Sequence, residues 1–433
     1  MTPELHLILV FAVFLFLLVV GMSVPFAITV PSLFYLFLQD GLKGFNALGL
    51  VSWGSMNSFV LTAIPLFILM AEIMQCSGLT TRVYLGLAQL VARIPGGLLQ
   101  TNIMGCAIFA SISGSSITTA AAIGSVALPE LQRLKYDPRL SAGSLAAGGT
   151  LGIMIPPSLA MIIYSSFTET SVAKLFMAGV VPGLLLTLMF MGYILVVALL
   201  RPEIAPRVAA PVVTHRLLRA LGDVLPFMAL IVLVLGSIYT GIATPTEAAA
   251  LGCFAVLAIC KAFGGMSWRI FGQALHNTVV VVGNIMFIVL AAYLFSYAIS
   301  YAGVGDSVTS WVVGLKLSQV EFFFVVFLLF TILGCLVESV GMIVITVPLL
   351  FPILPQYGID PVWFGIILVL FVEMGQISPP IGINLYVVQA MWTGKLKDVI
   401  MGTIPFHLLM VVLLVALVAW PQLALWLPSK MIR

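Results

Sequence analysis

Gly152-Ile-Met-Ile-Pro-Pro-Ser158 and Gly375-Gln-Ile-Ser-Pro-Pro-Ile381 both contain a glycine followed four residues later by two prolines. Tandem prolines remove two amide donors and free the carbonyls of the preceding turn, so a helix that reaches them must open. Each segment therefore predicts a broken helix that presents carbonyl oxygens without partners. Oxygens of this kind suit a hard cation.

The two segments belong to a longer internal repeat. Sliding residues 129–182 forward by 223 positions, the distance from Gly152 to Gly375, aligns them without a gap with the later part of the chain. The other matched residues mostly constrain the backbone, and they are Pro129 with Pro352, Asp137-Pro138 with Asp360-Pro361, Thr170 with Thr393, Lys174 with Lys397, Gly179 with Gly402, and Pro182 with Pro405. We therefore predict two repeats, residues 1–200 and 224–433, joined by a cytoplasmic linker at 201–223.

Composition places the chain in a membrane. Hydrophobic residues make up 62% of the 433 residues, charged residues only 8%, and the mean hydropathy is +1.22. An all-α, polytopic protein in a lipid bilayer follows, because about 20 apolar residues are needed for each helical span. The expected spans are Leu5–Val20, Pro25–Leu38, Phe59–Met74, Ala142–Tyr164, Leu175–Leu200, Leu225–Tyr239, Ala248–Phe263, Thr278–Tyr297, Trp363–Tyr386 and Thr403–Trp420. The sequence has no basic block suited to nucleic acid.

Two further apolar stretches, 97–131 and 322–354, are too long for one helix and are interrupted near their middles. The first breaks at Ser111-Ile-Ser-Gly-Ser-Ser-Ile-Thr-Thr119 and the second at Gly334-Cys-Leu-Val-Glu-Ser-Val-Gly341. We interpret each as a re-entrant helical hairpin, followed by the broken helices at 142–164 and 363–386. Lipid offers no hydrogen bonds to unwound backbone, so both hairpin tips must lie inside the fold.

Loop charges give the two repeats opposite orientations. Thirteen of the 18 Lys and Arg residues fall on one side of the predicted spans: Arg82, Arg93, Arg133, Lys135, Arg139, Arg201, Arg207, Arg216, Arg219, Lys261, Arg269, Lys395 and Lys397. The other side holds Lys43, Lys174, Lys316, Lys430 and Arg433. The positive-inside tendency makes the larger group cytoplasmic. Inverted repeats with broken helices are a recurrent plan of secondary transporters.

Hydroxyl groups lie beside both breaks. Ser113, Ser115, Ser116 and Thr118 belong to the first half, and Ser339 and Ser378 to the second. With the freed carbonyls they predict two Na⁺ sites of uncharged oxygens, while helix N-termini between them face a carboxylate. The alternative is that these hydroxyls only bond the backbone of packed helices.

Four acidic residues lie in or near apolar spans, where an ionised carboxylate is costly. Glu338, at the second tip, is the best candidate for involvement in the site, and Glu373 is next. Glu247 follows Pro245 and is as well explained as a helix cap, and Glu72 as a packing residue.

Four motifs in order resemble the large membrane subunit of tripartite ATP-independent periplasmic (TRAP) transporters: Ile112-Ser-Gly-Ser-Ser116, Gly149-Thr-Leu-Gly-Ile-Met-Ile-Pro-Pro-Ser158, Gly241-Ile-Ala-Thr-Pro-Thr-Glu-Ala-Ala249 and Glu373-Met-Gly-Gln-Ile-Ser-Pro-Pro-Ile-Gly382. The resemblance covers nearly the whole chain. It implies an elevator-type, sodium-driven importer of an organic acid, such as a C4-dicarboxylate or sialic acid. It also implies a separate four-helix membrane subunit (Q type) and a periplasmic substrate-binding protein (P type).

The resemblance also assigns ligands. It implies a first sodium site formed by Ser113, Ser116, Gly152, Ile155 and Pro157, and a second by Gly334, Gly375, Ser378 and Ile381. The candidate substrate-binding residues lie around the same tips and breaks: Ser115, Thr118, Glu338, Ser339, Gly341, Pro156, Pro379 and Asn384. This chain has Ser378 where relatives often carry Thr, and Glu338 where Asp is usual.

Three other functions are alternatives to that of a tripartite transporter subunit. A one-component Na⁺/dicarboxylate symporter of the same architecture needs no binding protein. A channel is disfavoured because inverted repeats favour alternating access. An intramembrane enzyme is not expected, because HExxH, GxSxG and P-loop patterns do not occur and no cofactor other than the coupling Na⁺ is implied.

The orientation argument predicts which side of the membrane each loop faces. Single cysteines at Lys135 and Lys395 should react with a membrane-impermeant maleimide only from the cytoplasm, and one at Gln356 only from the periplasm, because the repeats are inverted. Labelling of Lys135 and Gln356 from the same side would refute the inversion.

Overall fold

The computed structural model describes residues 3–91, 93–206, 214–263, 265–301 and 303–431, and the regular structure in these ranges is helical. The first half contains α1 (Pro3–Val19), α2 (Val24–Asp40), α3 (Leu48–Met56), α4 (Ala63–Cys76), α5 (Leu79–Val91), α6 (Leu98–Ser113), α7 (Ser116–Arg133), α8 (Pro138–Met154), α9 (Leu159–Thr168) and α10 (Val172–Leu200). The second half contains α11 (Thr214–Tyr239), α12 (Pro245–Ala262), α13 (Trp268–Tyr301), α14 (Val304–Gly314), α15 (Gln319–Gly334), α16 (Ser339–Leu350), α17 (Pro361–Gln376), α18 (Ile383–Met391), α19 (Leu396–Ala419) and α20 (Gln422–Leu425).

The helices confirm a polytopic membrane protein. Within the described ranges, seven helices are long and apolar enough to cross a bilayer, and an eighth span is added if α3 and the segment Val60–Cys76, bent by 53°, act together. α3, α5 and α14 were not predicted. Each of these helices has 13 residues or fewer, so none fills a window of about 20 residues.

Both long apolar stretches form helix pairs, as predicted. α6 and α7 meet at Gly114 and Ser115, and α15 and α16 meet at residues 335–338. The first tip is tight because Gly114 adopts a left-handed conformation (φ 61°) that favours glycine. The second arm of the second pair runs on through 3₁₀ turns to Tyr357, and the 19 residues from Ser339 are long enough to span a membrane. The re-entrant path of the two pairs stays a prediction.

Both predicted helix breaks are present. α8 ends at Met154 and α9 starts at Leu159, while α17 ends at Gln376 and α18 starts at Ile383. The Pro156–Pro157 and Pro379–Pro380 peptide bonds are both cis. The most apolar part of the combined α8–α9 span is wholly buried within the protein, where its opened backbone contacts other helices rather than lipid.

The duplication seen in the sequence has matching local structure. Asp137 caps α8 by accepting from Leu140 N at 2.8 Å, and its counterpart Asp360 caps α17 by accepting from Val362 N at 2.8 Å. In both helices a proline occupies the first position, where its missing N–H costs no hydrogen bond. The matched Asp-Pro pairs therefore start equivalent helices in the two halves.

The predicted linker at 201–223 is only partly irregular. α11 begins at Thr214, well before the predicted Leu225, because Leu217, Leu218 and Leu221 continue the helical spacing of apolar residues. Residues 202–204 form a 3₁₀ turn. Arg207 and Pro211 of the predicted linker lie outside the described residues.

Glycines allow α8 and α19 to cross in backbone contact. A Cβ on Gly402 would overlap the carbonyl group of Arg139, and one on Gly143 would overlap the backbone of Gly402. The Arg139 side chain pairs with Asp398 across the same crossing, with Nε 3.2 Å from Oδ1. This crossing attaches the last long helix to the first broken helix.

We predict that Gly402→Ala destabilises the protein by about 1–3 kcal/mol, the usual cost of overpacking, because the new methyl meets backbone that cannot turn aside. Thermal unfolding of the purified protein in detergent measures the effect. Gly283→Ala in α13 is the matched control, since nothing lies within 4 Å of its Cβ position. Equal melting temperatures for the two variants would contradict the close crossing.

Candidate ion and substrate site

The tip between α6 and α7 gathers hydroxyl groups. Ser113 Oγ lies 2.7 Å from Thr119 Oγ1. Ser115 is the N-cap of α7, where its Oγ accepts from Thr118 N at 3.4 Å and from Thr118 Oγ1 at 3.2 Å. Ser113 and Ser116 are buried, whereas Ser115 and Thr118 are half-buried. The first predicted cluster is therefore assembled at the start of a helix, whose positive end favours an anion.

The first helix break packs directly on this tip. A Cβ on Gly152 would stand 2.5 Å from the carbonyl oxygen of Ser115 and 2.6 Å from Thr119 Oγ1. Leu159 N donates to Gly114 O at 3.2 Å, and a Cβ on Gly114 would lie 3.0 Å from Pro157 O. Only glycine permits this approach of backbone to backbone. The structure thus brings Ser113, Ser115, Gly152 and Pro157 together.

Ile155 and Pro156 complete the first break. The Ile155 side chain turns toward α10, where a Cβ on Gly183 would lie 2.8 Å from Ile155 Cγ1. Its contribution to an ion site would therefore come from the backbone carbonyl. Pro156 is buried and packs toward Gly179 of the same helix, with its Cγ 3.4 Å from the Cβ position.

The second tip and the second break also meet through glycines. A Cβ on Gly334 would overlap the backbone of Gly375, and a Cβ on Gly375 would lie 2.7 Å from Phe330 O and 2.9 Å from Met342 Cε. Ser378 Oγ donates to Met374 O at 2.7 Å, so its lone pairs remain free for a cation. Gly334, Gly375 and Ser378 are therefore brought together as well.

The two breaks differ in exposure. Pro156, Pro157 and Ser158 are buried, whereas Pro379, Pro380 and Ile381 are exposed, Ile381 by 41%. The second candidate ion site is consequently open at one edge, and the first is closed.

Three more candidate substrate residues lie near the start of α16. Glu338 is the N-cap of α16 but makes no side-chain cap hydrogen bond, and Glu338 and Ser339 are both half-buried. Gly341 packs against α2, where a Cβ would lie 3.2 Å from Val24 Cγ1. α16 also packs on α9, which follows the first break.

Two polar side chains near the second break are completely buried without hydrogen bonds of standard geometry. Neither carboxyl oxygen of Glu373, which lies beside the Met154 backbone, has such a partner. Neither amide atom of Asn384 has one either. Buried polar groups normally find partners, so these two side chains would accept a contact with a water or a ligand.

The other two acidic residues take structural roles. Glu247 forms a capping box with Thr244 at the start of α12, which confirms the interpretation as a helix cap. Glu72 accepts from Asn277 Nδ2 at 3.0 Å, between α4 and α13.

One contact that was not predicted joins the two halves. Ser116 Oγ, at the first tip, donates to Oε1 of Gln376, the last residue of α17. Gln376 is fully buried. The available signal was a lone amide in an apolar span, between two candidate ligands, Gly375 and Ser378.

The oxygens at the two breaks are uncharged. Among the residues that the structure describes, no three His, Cys, Asp or Glu side chains form a cluster that would hold a metal ion. At both glycine contacts the available oxygens are hydroxyls and backbone carbonyls, which are ligands of hard cations.

The DctM-component model of the tripartite ATP-independent periplasmic transporters matches residues 11–423. The chain belongs to this family. It is 36% identical over 396 residues to a C4-dicarboxylate TRAP transporter large permease protein of Pseudomonas aeruginosa, covering 91% of each protein. It is 28% identical to the sialic acid TRAP transporter large permease protein of Vibrio cholerae, covering 95% of this chain and 96% of that protein.

Among solved structures, the YdaH transporter of Alcanivorax borkumensis has a similar fold, with a TM-score of 0.60, 17% sequence identity and 90% coverage of each chain. The family match confirms the resemblance seen in the motifs. This DctM-family chain is thus a multi-pass transporter permease subunit and not an enzyme. The transporters of this family are tripartite, and the DctM component is one of their parts.

Gly334→Ala should weaken the contact between α15 and α17 by about 1–3 kcal/mol, because the added methyl meets the Gly375 backbone. We expect membrane insertion to be retained and uptake by the assembled transporter to be lost. Gly314→Ala, with nothing within 4 Å of its Cβ position, is the control. Normal uptake by both variants would show that the close approach is dispensable.

Proposed function

We propose that this chain imports an organic acid, a C4-dicarboxylate, sialic acid or a similar carboxylate, by Na⁺ symport across the bacterial inner membrane. The observation that carries the proposal is the pair of glycine contacts, Gly152 on the first tip and Gly334 on Gly375. Each holds hydroxyl and carbonyl oxygens together where a helix is broken. Of the proposed sodium ligands, Ser113 lies beside the first contact through Thr119, and Ser378 lies beside the second through Gly375.

Charge balance supports a shared ion and substrate site. A carboxylate that leaves water needs compensating positive charge. The N-terminus of α7 supplies part of it at Ser115. Glu338 stands at the N-terminus of α16 and, when ionised, opposes an anion there. Bound Na⁺ ions would offset that repulsion, which makes sodium necessary for substrate binding.

The helix packing supports alternating access by an elevator movement. α6, α7, α18 and α19 all pack on α8 and form one group around the candidate site. A second group is formed by α4 with α12 and α13, and by α2 with α13. We propose that the first group carries the site across the membrane against the second, with the two helix pairs as re-entrant hairpins. Inverted repeats would give the inward and outward states similar energies.

The tripartite family supports two partners: a small four-helix membrane subunit and a periplasmic protein that captures the substrate. Relatives named for a C4-dicarboxylate and for sialic acid align with nearly the whole chain. The same permease framework therefore serves different acids, and substrate selection would lie largely with the binding protein.

Sodium should stabilise the purified chain, with choline chloride as the ionic-strength control. Ser113→Ala or Ser116→Ala should raise the Na⁺ concentration for half-maximal thermal stabilisation about tenfold, because each removes one oxygen contact to a charge, worth about 1.5 kcal/mol. Ser125→Ala, an exposed serine of α7 that bonds only Ala122 O, is the matched control.

Uptake into proteoliposomes with an inward sodium gradient, sodium outside and choline inside, then tests the partners. We expect uptake only when the small membrane subunit and the binding protein are added. A wild-type protein that is indifferent to Na⁺ would refute the sodium sites, and robust uptake by this chain alone would favour a one-component symporter.

A further inference from the structure

The hydrogen bond between Ser116 and Gln376 joins residues 260 positions apart in the two halves of the chain. Ser116 is a candidate ligand of the first sodium site. Gln376 lies between Gly375 and Ser378, which are candidate ligands of the second. A single buried contact therefore bridges the two sites.

The repeat does not require this bridge. The offset of 223 residues pairs Ser116 with Ser339, but it pairs Gln376 with Ile153. A counterpart bridge from Ser339 to Ile153 is impossible, because isoleucine has no side-chain acceptor. Gln376 is thus an addition to one half and not part of the duplicated framework.

Stability does not account for Gln376 either. Its side chain is fully buried, its Oε1 accepts from Ser116, and its Nε2 has no hydrogen-bond partner among the described residues. A buried donor without a partner costs free energy that an apolar side chain of the same size avoids. The amide is better explained by the hydrogen bond that its oxygen accepts from Ser116.

A hydroxyl binds a cation only through its oxygen lone pairs, so its proton must point elsewhere. Partners of this kind orient the groups that hold a metal and tune its affinity. In this structure the Ser116 hydroxyl donates to Gln376 Oε1, which leaves the Ser116 lone pairs for a cation.

We propose that Gln376 is a positioning residue for the first cation site: its Oε1 holds the Ser116 hydroxyl proton so that the Ser116 oxygen faces the ion. The inference rests on the proposed sodium coupling of this transporter. The second broken helix would then directly control the Na⁺ affinity of the first site.

The test uses Na⁺-dependent thermal stabilisation of the purified full-length chain, with choline as control. Gln376→Met keeps the volume and replaces the amide oxygen with a weakly accepting thioether, so it should raise the half-maximal Na⁺ concentration at least fivefold. Gln376→Glu keeps an acceptor oxygen and should stay within twofold of wild type or bind Na⁺ more tightly. Gln75→Met, at an exposed position of α4, controls for the substitution itself.

A double-mutant cycle identifies the route of the effect. Gln376→Met should have no further effect in a Ser116→Ala background and its full effect in a Ser378→Ala background. The reverse pattern would mean that Gln376 acts on the second site and would overturn the proposal. An unchanged Na⁺ response in Gln376→Met would do so too.

The remaining outcomes are also decisive. If the Gln376→Met variant does not fold, the Gln376→Leu variant replaces it. Failure of both variants to fold would show that the hydrogen bond has only a structural role, which would contradict the proposal. A wild-type protein without any Na⁺ response would overturn the proposed function itself. A sodium-responsive wild type with an unaffected Gln376→Met variant would overturn only the role of Gln376.

Discussion

Backbone-to-backbone contact at glycine is the constraint on which the candidate site depends. Gly152 lies against the carbonyl of Ser115, and Gly334 lies against Gly375, with no room for a Cβ in either case. Close approach brings peptide oxygens of one helix to the hydroxyl groups of another, inside a protein where lipid supplies no hydrogen bonds. The prolines open the helices, and the glycines allow the opened turns to lie against the backbone of neighbouring helices.

The duplication supplies the framework, and the chemistry differs between the halves. Equivalent Asp-Pro caps start α8 and α17, and equivalent Pro-Pro pairs break the two spans. At the tips, however, Ser115 caps α7 with its hydroxyl, while Glu338 stands at the cap of α16 without a cap bond. One break is sealed and the other is exposed. The two helix breaks with similar local structure thus differ in polarity and access.

Much of the fold could be predicted because its signals are local. Tandem prolines, a serine-rich tip and Asp-Pro caps each act on their own turn of helix, so the breaks and both helix pairs fell where expected. The helices α3, α5 and α14 were missed because the hydrophobicity of a short helix does not separate it from its neighbours. The contact of Ser116 with Gln376 was missed because tertiary packing alone brings the two together, and Gln376 has no repeat partner to draw attention to it.

The length of α13 has a consequence for the membrane around the protein. Its 34 residues make a rod about 50 Å long at 1.5 Å per residue. A hydrocarbon layer of about 30 Å cannot cover it upright, and the usual tilts of up to about 40° leave it too long. Its ends carry Arg269 and Tyr301, residues suited to the headgroup region, and the Tyr301 hydroxyl donates to Asp40 at the end of α2. α13 must therefore extend beyond the hydrocarbon layer, and its packing against α2 and α4, together with the residues at its ends, sets the tilt that it adopts.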